Sequence, residues 1–377
     1  MNGYFDHNAT TPPHPAAREA WLRASERHWH NPSSLYRDAG LASQQLEAAR
    51  ERLGSLLGAE AERIVFTSGA TESNNALFAS LPQDAVVLIS AIEHPSVREA
   101  ARRRKVIELP VNTDGIVEPD VVAKAISAHQ PVLVSVMAAN NESGALQPWQ
   151  EIAALCRKHE VPFHADAAQW IGKLDASTLG ECDFITGSAH KFGGPKGCGF
   201  LVLPEEDSRL SFMRGGPQEN GRRAGTENYP AIEAMVAALE TLVPRLEECA
   251  KVQAGLRDQF VASLRTGFGE LRVISEAAPR LWNTALMVMP AHDNLKWLTR
   301  LSRRGFSIST GSACSSGKEG SSVVVTALGA TPEELRRVVR ISSGWDTSKE
   351  DWQALAAAFA EVCAELNQGG KGAFSGL

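Results

Sequence analysis

The sequence predicts an α/β fold in which a mostly parallel sheet carries helices on both faces, followed by a smaller α+β domain. Three observations predict it. Between about residues 60 and 205, strand-like apolar runs alternate with amphipathic stretches. Beyond residue 230 the pattern changes to long helical segments with few strands. The 377 residues also exceed what one hydrophobic core usually serves, so two domains are expected.

The individual elements follow from the same periodicities. The strands expected in the first part cover residues 63–67, 86–90, 106–110, 132–137, 162–165, 184–187 and 200–203, with a helix over 149–159. The second part should contain a long helical region over 231–267 interrupted near Pro244, strands at 272–275 and 284–289, and helices at 294–304 and 349–366. The tail from Asn367 has the composition of a frayed end.

Composition excludes several classes of protein. A net charge of -6 argues against a nucleic-acid partner, and no apolar run is long enough to cross a bilayer. The first six residues resemble neither a basic nor an apolar signal region, so we expect a cytoplasmic protein without a membrane partner. The six cysteines form no CxxC pair and no zinc-like spacing, which indicates free thiols. Five should be buried small hydrophobes, whereas Cys314 lies in a run rich in glycine and serine.

Lys191 is the most informative residue of the chain. It follows the apolar run 182–187 and precedes a turn containing Gly193, Gly194, Pro195 and Gly197. This arrangement places an amine at the end of a buried strand, where a pyridoxal phosphate (PLP) enzyme presents its Schiff-base lysine. Taken alone, the segment is equally compatible with a surface lysine before a glycine-rich turn.

A phosphate site is predicted where the strand ending at Thr67 meets the next helix. The turn at Ser68 and Gly69 is followed by Ala70 and Thr71, which open the helix. Unpaired N–H groups and the helix dipole favour a phosphate dianion there. Simple capping of the helix by Ser68 or Thr71 is the competing interpretation. No Walker-type lysine follows, which argues against a P-loop.

Three further strand ends carry polar side chains. Asp166 ends a buried strand, with Gln169 three residues later and His164 two residues before. A protonated pyridine nitrogen would supply the cation that a buried carboxylate needs, and a ribose or a metal ion is the alternative ligand. His94 follows the strand 86–90 and could stack on an aromatic cofactor, although a histidine before a proline also caps helices. Asn141 lies in the turn 140–144, after another strand.

Taken together, these motifs resemble fold-type I PLP enzymes and, within them, the cysteine desulfurases that serve iron-sulfur cluster and tRNA thiolation pathways. The resemblance covers nearly the whole chain, and the common order of its motifs is far more specific than any one of them. The matching segments are residues 5–12, 67–74, 140–144, 165–169, 188–191, 222–228, 311–314 and 339–342.

The resemblance implies a role for each matched residue. Lys191 would hold PLP as a Schiff base, Asp166 would pair with the pyridine nitrogen, His94 would stack on the ring and Gln169 would bind the phenolic oxygen. The residues implied for the cofactor phosphate are Ala70, Thr71, Ser188 and His190, joined by Thr226 from the other subunit of a homodimer. Asn141 and Arg340 would hold the substrate carboxylate. The implied large, PLP-binding domain covers residues 14–246, and the small domain covers 1–13 and 247–377.

The same resemblance implies the reaction and its partners. L-cysteine would be converted to L-alanine, and Cys314, on a loop of the small domain, would take up the sulfur as a persulfide. Catalysis would rest on Lys191, Cys314 and His94, without a metal. The sulfur would then pass to an acceptor protein, either a cluster scaffold or a tRNA thiolation protein. Two alternatives stay open: a selenocysteine lyase, and a PLP-binding sulfur carrier or regulator without turnover.

Overall fold

A seven-stranded sheet forms the centre of the first part of the chain. The computed structural model describes residues 3–204, 210–311 and 322–369. The sheet has the strand order β1-β7-β6-β5-β4-β2-β3. Its strands are β1 (Ile64–Thr67), β2 (Val86–Ser90), β3 (Lys105–Leu109), β4 (Leu133–Ser135), β5 (Phe163–Asp166), β6 (Phe184–Ser188) and β7 (Gly199–Val202). β7 runs antiparallel to β1 and β6, and the other neighbouring pairs are parallel, which confirms the predicted mostly parallel sheet.

Helices cover both faces of this sheet, as predicted. The helices of the first part are α1 (Pro15–Arg27), α2 (Arg37–Leu57), α3 (Ala70–Ser80), α4 (Pro95–Ala101), α5 (Pro119–His129), α6 (Trp149–Lys158) and α7 (Tyr229–Leu242). Residues of α1, α2, α5, α6 and α7 share one buried apolar cluster with the sheet. Residues of α3 and α4 share a second cluster on the other face. Because both faces are covered, the strands are buried along almost their whole length, except β3 at the edge of the sheet, where only Leu109 is buried.

A second, three-stranded antiparallel sheet has the order β10-β9-β8. Its strands are β8 (Arg272–Val273), β9 (Thr284–Val288) and β10 (Val338–Ser342). The accompanying helices are α8 (Leu246–Phe268), α9 (Asn294–Arg303), α10 (Val323–Ala327), α11 (Pro332–Leu335) and α12 (Lys349–Gly369). Phe5 near the amino terminus packs in the core of this second sheet. The domain boundaries at residues 14 and 246 remain predictions.

Two predicted details can be compared with the helices. The expected break near Pro244 is present: α7 ends at Leu242, and a 3₁₀ turn over Val243–Arg245 leads into α8. The proline has no N–H to continue the helical hydrogen bonds, which explains the break. The expected frayed end from residue 367 is wrong at its start, because α12 extends to Gly369. In the part of the chain that the structure describes, no helix combines the length and apolarity needed to cross a membrane.

Candidate active site

A cavity of about 530 Å³ lies at the carboxyl ends of the parallel strands. Ten of the residues predicted to bind cofactor or substrate line it. They are Ala70, Thr71, His94, Asn141, Asp166, Gln169, Ser188, His190, Lys191 and Arg340. They come from segments scattered between residues 70 and 340, so the fold gathers into one cavity what the sequence separates.

Lys191 lies in a 3₁₀ turn, Ala189–Lys191, that starts directly after β6. Its amine donates hydrogen bonds to the main-chain oxygens of Asn8 (2.7 Å) and Ala9 (3.0 Å). The turn after the lysine needs glycine at position 193, where φ is 87° and a Cβ would lie 2.7 Å from Trp345. The amino-terminal segment therefore closes over Lys191, a contact that spacing along the chain did not predict.

Asp166 is the last residue of β5 and only 4% exposed. Its carboxylate accepts hydrogen bonds from Asn74 Nδ2 (2.9 Å) and from the main-chain N–H of Ala168 (3.1 Å). Both donors are neutral, and a carboxylate this deeply buried is further stabilised by a cation. A protonated pyridine nitrogen fits that requirement. The metal alternative has no support in the described part of the chain, where no group of three or more potential ligands is found.

His94 caps a helix, as one interpretation of its sequence expected, and its stacking on a cofactor stays a prediction. It is the N-cap of α4, and its Nδ1 accepts a hydrogen bond of 3.1 Å from the main-chain N–H of Ser96. The same ring lines the cavity. Burial lowers the pKa of His94, and Lys191 lowers it further while Asp166 opposes the shift. Because Nδ1 accepts from a backbone N–H, we assign the proton of the neutral ring to Nε2.

Glu93 precedes His94, and the sequence analysis assigned it no role. Its side chain accepts hydrogen bonds from Ser90 Oγ (2.8 Å) and from the main-chain N–H of Met137 (2.7 Å). Burial, reinforced by the charge of Asp166, raises the pKa of Glu93 to about 8. Glu93 is therefore a neutral acid that joins the ends of β2 and β4 beneath the cavity. The position of an acidic residue just after the apolar strand 86–90 was the signal in the sequence that could have pointed to Glu93.

The predicted phosphate end of the cavity is built by two glycines and the start of α3. A Cβ at Gly199 of β7 would lie 2.5 Å from Gly69 Cα, so glycine is required for the two segments to approach. The capping alternative is wrong, since no side chain of the described residues caps α3, and its N-cap is Gly69. The ring of His190 lies 3.1 Å from Thr10 Oγ1, and burial lowers its pKa to about 4. His190 is therefore a neutral hydrogen-bonding group.

Arg340 lies in the middle of β10 and is 1% exposed. Its guanidinium donates to Asp6 Oδ1 (2.7 Å) and to the main-chain oxygens of Asn141 (2.9 Å) and Gly311 (2.8 Å). Within the described residues, its Nε is buried and has no hydrogen-bond partner. Arg340 is also one of the residues that line the cavity. Asp6 belongs to a motif quoted above, but nothing in the sequence linked it to Arg340.

Two predicted residues are not part of this cavity as the structure describes it. Thr226 is exposed and lines a separate cavity of about 240 Å³, together with Arg223 and Glu227. Its predicted contribution to the site of a partner subunit remains a prediction. Cys314, the predicted sulfur acceptor, lies outside the described residues.

The prediction of five buried cysteines is only partly correct. Cys156, Cys182 and Cys198 are buried, and burial raises the pKa of each thiol to about 12. Cys249 and Cys363 are half-buried instead. Both lie on long helices, α8 and α12, which present part of their surface to solvent. The prediction made from the sequence therefore overestimated the burial of these two cysteines.

Comparison with known proteins agrees with this geometry. The sequence pattern of the family described as "Aminotransferase class-V" matches residues 3–355. A protein named cysteine desulfurase IscS from Dictyoglomus turgidum is 33% identical over 360 residues, which cover 92% of this chain and 91% of that protein. The chain belongs to the cysteine desulfurases of the class-V aminotransferase family.

Solved structures place this cysteine desulfurase among similar folds. A NifS-like protein from Rickettsia africae superimposes with a TM-score of 0.88 at 30% identity, over 97% of this chain and all of that one. A structure described as SspA in complex with cysteine gives a TM-score of 0.79 at 31% identity, over 90% of this chain and 98% of that one. The predicted fold-type I architecture is thereby confirmed.

The cofactor of this family, pyridoxal phosphate, fits the residues present. Asp166 offers a buried carboxylate for the pyridine nitrogen, the glycine-lined start of α3 accepts a phosphate, and Lys191 presents an amine to the same cavity. The enzyme is a PLP-dependent cysteine desulfurase.

Proposed function

We propose that this chain converts L-cysteine to L-alanine, holds the released sulfur as a persulfide on Cys314 and passes it to an acceptor protein. The acceptor would serve iron-sulfur cluster assembly or thiolation. The observation that carries the proposal is the presence of Lys191, Asp166 and Arg340 around one cavity. An amine that can bind an aldehyde, a carboxylate that can bind a pyridine nitrogen and a cation that can bind a carboxylate together suit an amino-acid substrate.

The chain's residues have distinct proposed tasks. PLP, bound through Lys191, would supply the electron sink that makes the α-carbon of an amino acid acidic. The Lys191 amine would move the α-proton. The Arg340 guanidinium would fix the substrate carboxylate, and the His94 ring, whose pKa is lowered by burial, would pack against the cofactor.

The sulfur-transfer step has a balanced form. The Cys314 thiolate attacks the substrate sulfur, so an S–S bond forms while the carbon–sulfur bond of the substrate breaks. The carbon fragment keeps the bonding electrons, takes up a proton and leaves as alanine. One cysteine and one enzyme thiol thus give one alanine and one enzyme persulfide, without an external oxidant.

We further propose that the active unit is a cytoplasmic homodimer in which Thr226 serves the partner's phosphate site. The exposure of Thr226, outside the cavity of its own chain, supports this assignment. Mixed dimers of Lys191→Ala and Thr226→Val protomers provide a test. If Thr226 acts across the interface, one site of each mixed dimer is intact and activity returns on mixing. If the two inactive variants stay inactive after subunit exchange has been verified, the proposed role of Thr226 across the interface is contradicted.

The central experiment measures alanine and sulfide together from PLP-loaded protein, L-cysteine and a reductant. We expect equal amounts of both products in the wild type and neither in Lys191→Ala or Cys314→Ser. Cys363→Ser, which changes a half-buried thiol on α12, is the matched control and should retain both products. Selenocysteine activity that survives in Cys314→Ser, with little on cysteine, would indicate a selenocysteine lyase. A PLP-loaded wild type without alanine would indicate a carrier or regulator.

A further inference from the structure

A buried lysine behind the cofactor cavity has no role in the reaction described above. Lys173 is 4% exposed and lies four residues after Gln169 in the sequence. Its amine donates to Asn8 Oδ1 at 3.0 Å and to Gln169 Oε1. Both acceptors are neutral amide oxygens. A buried ammonium is costly when it is balanced by neutral groups alone, so packing by itself does not explain a lysine here.

The donor role of the Lys173 amine fixes the orientation of both amides. Because the amine donates in both hydrogen bonds, Gln169 and Asn8 each turn their oxygen towards Lys173. The NH₂ group of Gln169 then points away from Lys173 and donates to the main-chain oxygen of Asn8 at 2.9 Å. That same oxygen also accepts from the Lys191 amine. Gln169 therefore presents donors, rather than its acceptor, on the side of the cavity where Lys191 lies.

The orientation extends from the large sheet to the second sheet through Asn8. The Asn8 oxygen accepts hydrogen bonds of 3.0 Å from both Lys173 and Asn283 Nδ2, so Asn8 directs its NH₂ group to Thr284 Oγ1 (2.8 Å) and to the main-chain oxygen of Asn141 (3.2 Å). Thr284 is the first residue of β9, and Asn141 carries a predicted contact to substrate. The Lys173 amine thus contributes to how polar groups from both parts of the chain face the cavity.

We propose that Lys173 is a positioning residue for the cofactor: it holds the Gln169 amide with its N–H bonds towards the phenolic oxygen of PLP. The inference rests on the proposed role of Gln169. The charged groups that act on the Lys173 amine are Lys191 and Arg340, and the neighbouring His7 ring is neutral because burial lowers its pKa to about 3. Burial lowers the pKa of Lys173, and the positive charges of Lys191 and Arg340 lower it further.

A measurement that does not depend on turnover tests the proposal: the dissociation constant of PLP from reconstituted apoprotein. In Lys173→Met, which keeps the length and removes the amine, PLP should bind about five- to tenfold more weakly because a donor to its phenolic oxygen is no longer oriented.

Two further variants test the orientation. Lys173→Gln restores a neutral donor, so the PLP affinity should largely recover. In a Gln169→Leu background, Lys173→Met should have less than half of its effect on PLP affinity, because its target amide is missing. Lys158→Met removes an exposed lysine at the end of α6 and should leave the PLP affinity unchanged.

The outcomes are decisive in both directions. PLP affinity within twofold of the wild type in Lys173→Met would overturn the proposal. So would an effect of Lys173→Met that is equally large without Gln169. Should Lys173→Met not fold, Lys173→Gln is measured in both backgrounds, and a loss of PLP affinity that is equally large without Gln169 overturns the proposal. A protein that binds PLP as expected but makes no alanine would contradict the proposed function and leave the assignment of Lys173 standing.

Discussion

The Asn74 side chain donates a hydrogen bond of 2.9 Å to the Asp166 carboxylate inside the protein. Its second N–H donates to Ser96 Oγ, also at 2.9 Å, and that oxygen lies 2.8 Å from His94 Nδ1. Since both hydrogens of the Asn74 amide are used, the Ser96 hydroxyl is left to donate to the histidine. One amide of α3 therefore fixes Asp166, the residue predicted to pair with the pyridine nitrogen, and, through Ser96, the His94 ring that is predicted to stack on the cofactor.

Replacing Asn74 should weaken cofactor binding without touching a predicted cofactor contact. In Asn74→Ala, Asp166 loses a buried donor and Ser96 loses the group that orients its hydroxyl. We expect the dissociation constant of PLP to rise about tenfold and the free energy of unfolding to fall by about 1–3 kcal/mol. Absorbance titration of apoprotein with PLP and urea denaturation measure the two effects.

The neighbouring amide offers a matched control for this prediction. Asn75 is exposed on the same helix and donates to the main-chain oxygen of Thr71. Asn75→Ala should leave PLP affinity within twofold of the wild type. Equal losses in the two variants would mean that the helix, and not the contact with Asp166, is responsible.

Glu93 should make the protein less stable as the pH rises. Burial raises its folded pKa to about 8, from 4.5 for the exposed group, so the folded state binds a proton that the unfolded state releases. The stability linked to this proton is complete below about pH 4.5 and is lost as the pH rises to about 8. Glu93→Gln imitates the neutral acid, so it should stabilise the protein by about 3 kcal/mol at pH 7.5 and hardly at all at pH 4.5.

Urea denaturation at a series of pH values measures this difference. Glu151→Gln, on the exposed side of α6, removes an acid that is solvated in both states and should give no pH-dependent gain. A gain from Glu93→Gln that is the same at pH 4.5 and 7.5 would show that Glu93 is already ionised in the folded protein.

Cysteine reactivity should separate Cys314 from the buried thiols. Burial raises the thiol pKa of Cys156, Cys182 and Cys198 to about 12, and that of Cys249 to about 11, so little thiolate forms at neutral pH. We expect iodoacetamide at pH 7.5 to label Cys314 at least about tenfold faster than any of these four, as measured by peptide mass spectrometry.

Denatured protein is the control for that labelling, since every cysteine should then react at a similar rate. Preferential labelling of a thiol in the sheet core, such as Cys198, would contradict the assigned burial. If Cys314 of the native protein reacts no faster than these four thiols, its proposed role as nucleophile is contradicted.

The sequence predicted the elements of the large sheet because strands and helices differ in the period of their apolar residues. The predicted strand 86–90 coincides with β2, and the others differ at their ends by one or two residues. β10 was not predicted, since the buried Arg340 interrupts its apolar pattern. A cation at a buried strand position is explained by its partners, and these lie far away in sequence.

Most of the residues that line the cavity could be predicted because they end or follow a strand or start a helix, whereas Arg340 lies in the middle of β10. The contacts that hold these residues in place could not be predicted. Lys173 contacts Asn8, 165 positions earlier, and Arg340 contacts Asp6, 334 positions earlier. Such pairs depend on how the amino-terminal segment crosses the cavity, and periodicity along the chain carries no information about that path.

Asp6 should determine how strongly Arg340 attracts the substrate carboxylate. Asp6 Oδ1 accepts a hydrogen bond of 2.7 Å from Arg340 Nη2, so it both orients the guanidinium and offsets its charge. Asp6→Asn keeps an oxygen acceptor and removes the negative charge. The KM for cysteine should therefore fall by about two- to fivefold, with kcat nearly unchanged.

Asp6→Ala removes the acceptor as well, and the guanidinium then loses a group that fixes its direction. The KM for cysteine should rise by about threefold or more, because misdirected donors bind a carboxylate poorly. Initial rates of alanine formation at saturating PLP measure both variants. The opposite directions of the two changes are the critical result, since a purely structural role for Asp6 would raise KM in both proteins.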